Sequence, residues 1–177
     1  MESPTKYNDS IYFQSGDELY VNLYVPSRLN WVAKGLKVIQ ETTYPGGDQT
    51  LFAFRSETLV RLTLKFRCPA WAEGGLRLWL NGERLDITSV PGTYPEVSGT
   101  WQNGDVLRLV MPMPTRVEAT PDNAEKVAFL YGPVGLGGDL GPVGPEDSCF
   151  QANNLANLFN PVAEVPVLTD SRPDQVV

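Results

Sequence analysis

The side chains of this 177-residue chain best suited to meeting a ligand are aromatic. Trp79 alternates with Leu78 and Leu80, and Tyr20 and Tyr24 alternate with Leu19, Val21, Leu23 and Val25. A strand through each segment turns these three rings away from the apolar side. Flat rings on an outer sheet face suit stacking on the C–H faces of a sugar. They equally suit packing against another domain, because exposed large aromatics mark interfaces, and interface packing is the favoured reading. Trp79, Tyr20 and Tyr24 are therefore the expected carbohydrate-binding or domain-interface residues.

Reaction chemistry finds little support. The chain has no histidine, the side chain most used as general base and metal ligand near neutral pH. Cleaving a sugar linkage takes two carboxylates whose environments push their pKa values apart. Asp17, Glu18, Asp105 and Asp139 fall in turns, and Glu96 and Glu118 lie in or beside strands, with nothing around them to create that split. They read as solvated surface carboxylates. Cys68 and Cys149 lack C-x-x-C spacing and read as reduced, unpaired thiols. The Gly-x-Gly fragments between Gly132 and Gly141 lack the preceding strand and following helix of a phosphate cradle. No catalytic residue, metal ligand or cofactor is expected in this chain.

A net charge of −7 disfavours nucleic acid and anionic membrane partners. The opening MESPTKYNDS lacks the layout of a secretory signal, and no apolar run reaches transmembrane length. The expectation is a soluble protein, bacterial and cytoplasmic unless a parent carries a signal peptide.

The elements that must position the aromatics are strands. One strand is expected from Glu18 to Val25, stopped by Pro26. Leu36–Thr43, Thr50–Ser56 and Val60–Cys68 follow, the last being the cleanest alternation in the chain. Leu76, Leu78 and Leu80 precede an Asn81-Gly82 hairpin turn with a return strand over Arg84–Ile87. A segment from Thr93 leads to Trp101 and the Asn103-Gly104-Asp105 turn, after which Leu107, Leu109, Met111 and Met113 face inward. Seven to nine short strands with turn chemistry between them imply an all-β, antiparallel β-sandwich, jelly-roll-like or Ig-like, over residues 1–120. Residues 121–177 read as a C-terminal extension. It holds one short buried strand over Val127–Tyr131, an irregular Gly/Pro-rich loop from Gly132 to Pro145, a short helix over Cys149–Phe159 and a strand within Val162–Leu168, and it could be the truncated start of a second β-sandwich.

The order of YNDSIYFQSGDELYVNLYVPSRLNW, VIQETTYP, RLTLKFRCPAWA, LWLNGE, the Trp101–Asp105 turn, LRLVMPM and KVAFLYGPV resembles a segment of the β-L-arabinofuranosidase family, glycoside hydrolase family 127. That segment follows the family's catalytic barrel, and the resemblance covers about residues 7 to 140. It implies a parent whose N-terminal (α/α)6 barrel carries a cysteine nucleophile in a zinc-bound cluster of cysteines and a glutamate, all upstream of the matching segment. Neither Cys68 nor Cys149 corresponds to those positions, so zinc belongs to the parent's missing catalytic domain. The implied role is a non-catalytic accessory β-sandwich that braces the barrel and shapes one wall of its substrate cleft. The alternative is an independent carbohydrate-binding module built on Trp79, Tyr20 and Tyr24.

Overall fold

Two facing sheets place the side chains considered above, in a computed structural model that describes residues 9–137. The expected helix over Cys149–Phe159, the strand within Val162–Leu168, Cys149 and Asp139 lie outside the described residues. In chain order the strands are β1 (Tyr12–Ser15), β2 (Glu18–Val21), β3 (Ser27–Trp31), β4 (Leu36–Thr42), β5 (Gln49–Ser56), β6 (Val60–Phe66) and β7 (Arg77–Leu80). They continue with β8 (Glu83–Arg84), β9 (Glu96–Trp101), β10 (Val106–Val110), β11 (Thr115–Thr120), β12 (Asn123–Tyr131) and β13 (Val134–Leu136). One sheet runs β1-β2-β6-β9, the second β3-β4-β5-β10-β7-β8, and a third, smaller one β11-β12-β13. Among the described residues no helix is long and apolar enough to cross a membrane.

The first two sheets form the expected sandwich. Leu62, Leu64 and Phe66 from β6 meet Leu78, Leu107 and Leu109 from the other sheet, all at most 2% exposed. Aromatic rings join the layers: Phe52 and Phe66 lie 5.4 Å apart, and Trp101 stacks on Phe54 at 4.5 Å. Burial of one alternate set on β2, β4, β5, β6 and β10 fixes register, since a slip of one residue would turn that set to water. Every pair is antiparallel except β2 beside β6, which is parallel. The chain leaves the first sheet after β2, lays down β3, β4 and β5 in the second, and only then returns.

Turn chemistry holds the six-stranded sheet in place. Asn81 and Gly82 both take positive φ, 50° and 90°, as a tight two-residue hairpin between β7 and β8 requires. Buried Asp105 ties this turn to the next one. Its carboxylate accepts from Asn81 Nδ2 and from the Gln102 N–H, each at 2.9 Å, while Asn81 Oδ1 accepts from the Val106 N–H. The return strand after Gly82 is shorter than the sequence suggests, two residues instead of four.

Strands β1, β3 and β11 form where no strand was expected, and two further segments depart from expectation. The reading of one strand through Val25 fails because β2 ends at Val21 and the chain turns towards β3. The loop expected from Gly132 contains a strand: Gly132, at φ 53°, and Pro133 form a two-residue turn that returns Val134–Leu136 along Phe129–Tyr131. Glycine weakens a strand but does not forbid one when the partner is already extended.

Candidate interaction surfaces

Tyr20 stands on the outer face of the four-stranded sheet, where the charges neutralise one another. Its hydroxyl donates to Glu18 Oε2 at 2.7 Å and accepts from Lys65 Nζ at 3.3 Å. Lys65 also pairs with Glu18 at 2.8 Å and Glu96 at 3.6 Å, and sits 5.2 Å from the centroid of the Tyr20 ring. Tyr94 meets that ring edge-on at 5.7 Å. The hydrogen bond from Lys65, then that from Tyr20, holds the Glu18 carboxyl below its ordinary 4.5, and the same bond holds the Lys65 ammonium above its ordinary 10.5. A carboxyl with a lowered folded pKa contributes stability that is present above about pH 4.5 and lost as pH falls through the folded value. Glu18→Gln should therefore flatten the acid limb of a stability–pH profile without moving its neutral plateau by more than a surface pair allows. Urea midpoints from pH 3 to 7 that decline equally in both proteins would contradict this.

Tyr24, expected to face outward, is buried, at 4% exposure. Once β2 ends at Val21 the two-residue period lapses, and the ring turns into the core. Its hydroxyl donates to the Arg67 carbonyl at 2.7 Å, and Tyr44 packs edge-on at 6.1 Å. Burial pushes its pKa well above the ordinary value of 10.0. A ring in this position braces the two layers and is closed to a ligand.

Trp79 does point outward, but from the six-stranded sheet. It and Tyr20 lie on opposite sides of the sandwich and share no platform. The Arg108 guanidinium lies 4.0 Å from the centroid of the Trp79 ring. Registers across this sheet set out its whole outer face. One row reads Asn30, Lys37, Arg55; the next Arg28, Ile39, Ala53, Val106; the next Glu41, Leu51, Arg108, Trp79, Arg84; and Val110 carries Gln49 and Arg77 beside it. Six of the chain's 14 basic residues thus share one face with a single strand carboxylate, Glu41, in a protein of net charge −7. None of the six is in an ion pair among the described residues. Lys37 and Arg55 are direct cross-strand partners, an unfavourable pairing of like charges. A cleft of about 580 Å³ opens beside them, lined also by Asn30, Glu57 and Asn103.

Alternation marks Lys37, Arg55, Arg77 and Arg108 as outward on their own strands, whereas Arg28 lies on β3, where the sequence suggested no strand. Alternation does not say which strands share a sheet, so the gathering of the six cations on one face escapes a reading of the sequence.

The small sheet carries the opposite chemistry. Val117, Phe129 and Leu136 are register partners, Val127 pairs with Ala119, and Tyr131 with Val134, so all seven lie on one face. The six large ones are each between 37 and 52% exposed. The Val127–Tyr131 run, expected as a buried strand, thus presents its apolar side uncovered among the described residues. The opposite face holds the Arg116–Glu118 pair at 2.8 Å.

Cys68 is buried, and its thiol lies 3.9 Å from the Pro69 carbonyl. Among the described residues no three His, Cys, Asp or Glu side chains gather closely enough to hold a metal ion. These residues do not fit a zinc site.

The family model for the β-L-arabinofuranosidase GH127 middle domain matches residues 18–113. Among solved structures, a GH127 β-L-arabinofuranosidase from Geobacillus stearothermophilus T6 superposes with a TM-score of 0.64 at 32% identity, over 73% of this chain and 21% of that one. A structure described as a glycoside hydrolase gives 0.62 at 32% identity, over 71% of this chain and 22% of the other. A GH127 β-arabinofuranosidase gives 0.60 at 25% identity, over 71% and 23%. The chain therefore spans about a fifth of the length of these solved relatives. No curated relative matches it.

Proposed function

We propose that this chain, which belongs to the GH127 β-L-arabinofuranosidase middle-domain family, is a non-catalytic accessory domain that braces the catalytic barrel of a parent glycosidase and shapes one wall of its substrate cleft. The observation that carries this reading is the extent of the family match. Residues 18–113 run from the start of β2 to Met113, the span of the two packed sheets from β2 onward. Its interior is filled by leucine, phenylalanine and tryptophan side chains. Such a core positions surfaces; the reacting groups, and the zinc that the family resemblance implies, then belong to the parent's barrel. Sheet β11-β12-β13 fits the start of a second β-sandwich, whose other sheet would cover the bare apolar face.

Two measurements test this. Deleting residues 18–113 from the parent should lower its arabinofuranosidase activity at least tenfold and its thermal midpoint, while the chain alone should leave nitrophenyl β-L-arabinofuranoside intact. Full activity in the deleted parent would overturn the reading. Titrating arabinan oligosaccharides against tryptophan fluorescence checks the alternative of a carbohydrate-binding module; no response is expected at millimolar ligand.

A further inference from the structure

We infer that the outer face of the six-stranded sheet is the surface by which this domain docks, and that its occupant is an acidic, partly apolar protein surface supplied by the parent's catalytic domain. The inference rests on the accessory-domain reading above and names the face and the chemistry of its partner.

Four observations support it. First, the charge is segregated: Arg28, Lys37, Arg55, Arg77, Arg84 and Arg108 collect on one side of an acidic chain, with none in an ion pair among the described residues. Exposure alone does not produce this, because the opposite face pairs Lys65 with two glutamates. Second, Lys37 beside Arg55 is a repulsive pair that incoming carboxylates would relieve. Third, Ile39, Ala53 and Val106 form an apolar stripe between the cationic rows, with Leu51 beside it, and Val106 and Leu51 are about 40% exposed. An apolar centre with arginine and tryptophan around it is the anatomy of a protein interface. Fourth, the chain spans 21% of the length of a solved relative, which leaves ample protein to supply the cover.

The same observations favour protein over an acidic glycan. A sugar needs an open ring face, and the Arg108 guanidinium occupies that of Trp79. The apolar stripe offers a polysaccharide no hydrogen bond.

The test uses the full-length parent with Arg77→Glu, Arg84→Glu and Arg108→Glu combined, against Arg61→Glu on the opposite face. Calorimetry should show the triple variant's middle domain unfolding about 5 °C or more below its wild-type midpoint, with Arg61→Glu unchanged. Zero-length carbodiimide cross-linking of the wild-type parent should join Lys37 to a carboxylate of the catalytic domain, a readout independent of how the variants fold. Two results separate the failures. If wild-type domains unfold as one unit and the triple variant still does so, the face is wrong and the accessory reading stands. If the wild-type middle domain melts at the same temperature attached or cut free, docking and bracing both fall. A Lys37 cross-link only to a carboxylate of its own cleft such as Glu57 overturns the face. So does micromolar binding of an oligogalacturonide that the triple variant loses, which would assign the cations to a glycan.

Discussion

Trp101→Ala should cost the sandwich about 3–5 kcal/mol, the largest loss expected from one substitution here. The ring is 1% exposed at the end of β9, where it stacks on Phe54 of the facing sheet at 4.5 Å. Its indole N–H donates to the Leu62 carbonyl at 3.1 Å. Truncation opens a cavity between the layers and leaves that carbonyl without its side-chain donor, and the two losses add. Trp101→Phe keeps most of the stacking area and should cost less than half as much. Urea unfolding followed by far-UV circular dichroism measures both; a loss below about 1 kcal/mol for the alanine variant would mean that the ring is not wedged between the sheets.

Gln40→Leu should cost about 2 kcal/mol although leucine is close in size and more apolar, because three polar groups depend on the amide. Gln40 is 1% exposed on the inward side of β4. Its Oε1 accepts from the Tyr12 hydroxyl of the other sheet at 3.0 Å, and its Nε2 donates to the Leu23 and Val25 carbonyls at 3.1 and 2.8 Å. Those bonds hold the irregular stretch that carries Tyr24 inward. Gln40→Glu should be worse at pH 7, since a carboxylate would face two carbonyls in a desolvated site, and should regain part of the loss towards pH 4 as protonation restores one donor. A Gln40→Leu midpoint at or above wild type would show that burying more apolar surface outweighs the network.

Much of this architecture was legible in the sequence. Alternation placed Leu62, Leu64, Phe66, Leu78, Leu107 and Leu109 inward, and Asn81-Gly82 marked its hairpin, because period and turn chemistry are local properties. Tyr24 escaped because alternation predicts a side only while the strand lasts, and β2 stops three residues earlier. Val134–Leu136 escaped because its strand character is supplied by the partner β12 and not by its own glycine-rich composition. The cationic face was hidden for a third reason. Arg28, Arg55 and Arg84 are far apart in the chain, and only the order of strands in a sheet brings them together.

The parallel contact of β2 with β6 also dictates an order of assembly. Leu19 sits beside Leu64, so the hairpin of β1 and β2 emerges long before its neighbour and cannot be completed locally. β3, β4 and β5, by contrast, pair in antiparallel succession through short turns and can zip up as soon as they exist. Loop-closure entropy must be spent before the non-local pair returns anything. The meander can therefore form before the four-stranded layer closes, and refolding rates of this chain should report the non-local pairs, β2 with β6 and β5 with β10, rather than the formation of any hairpin.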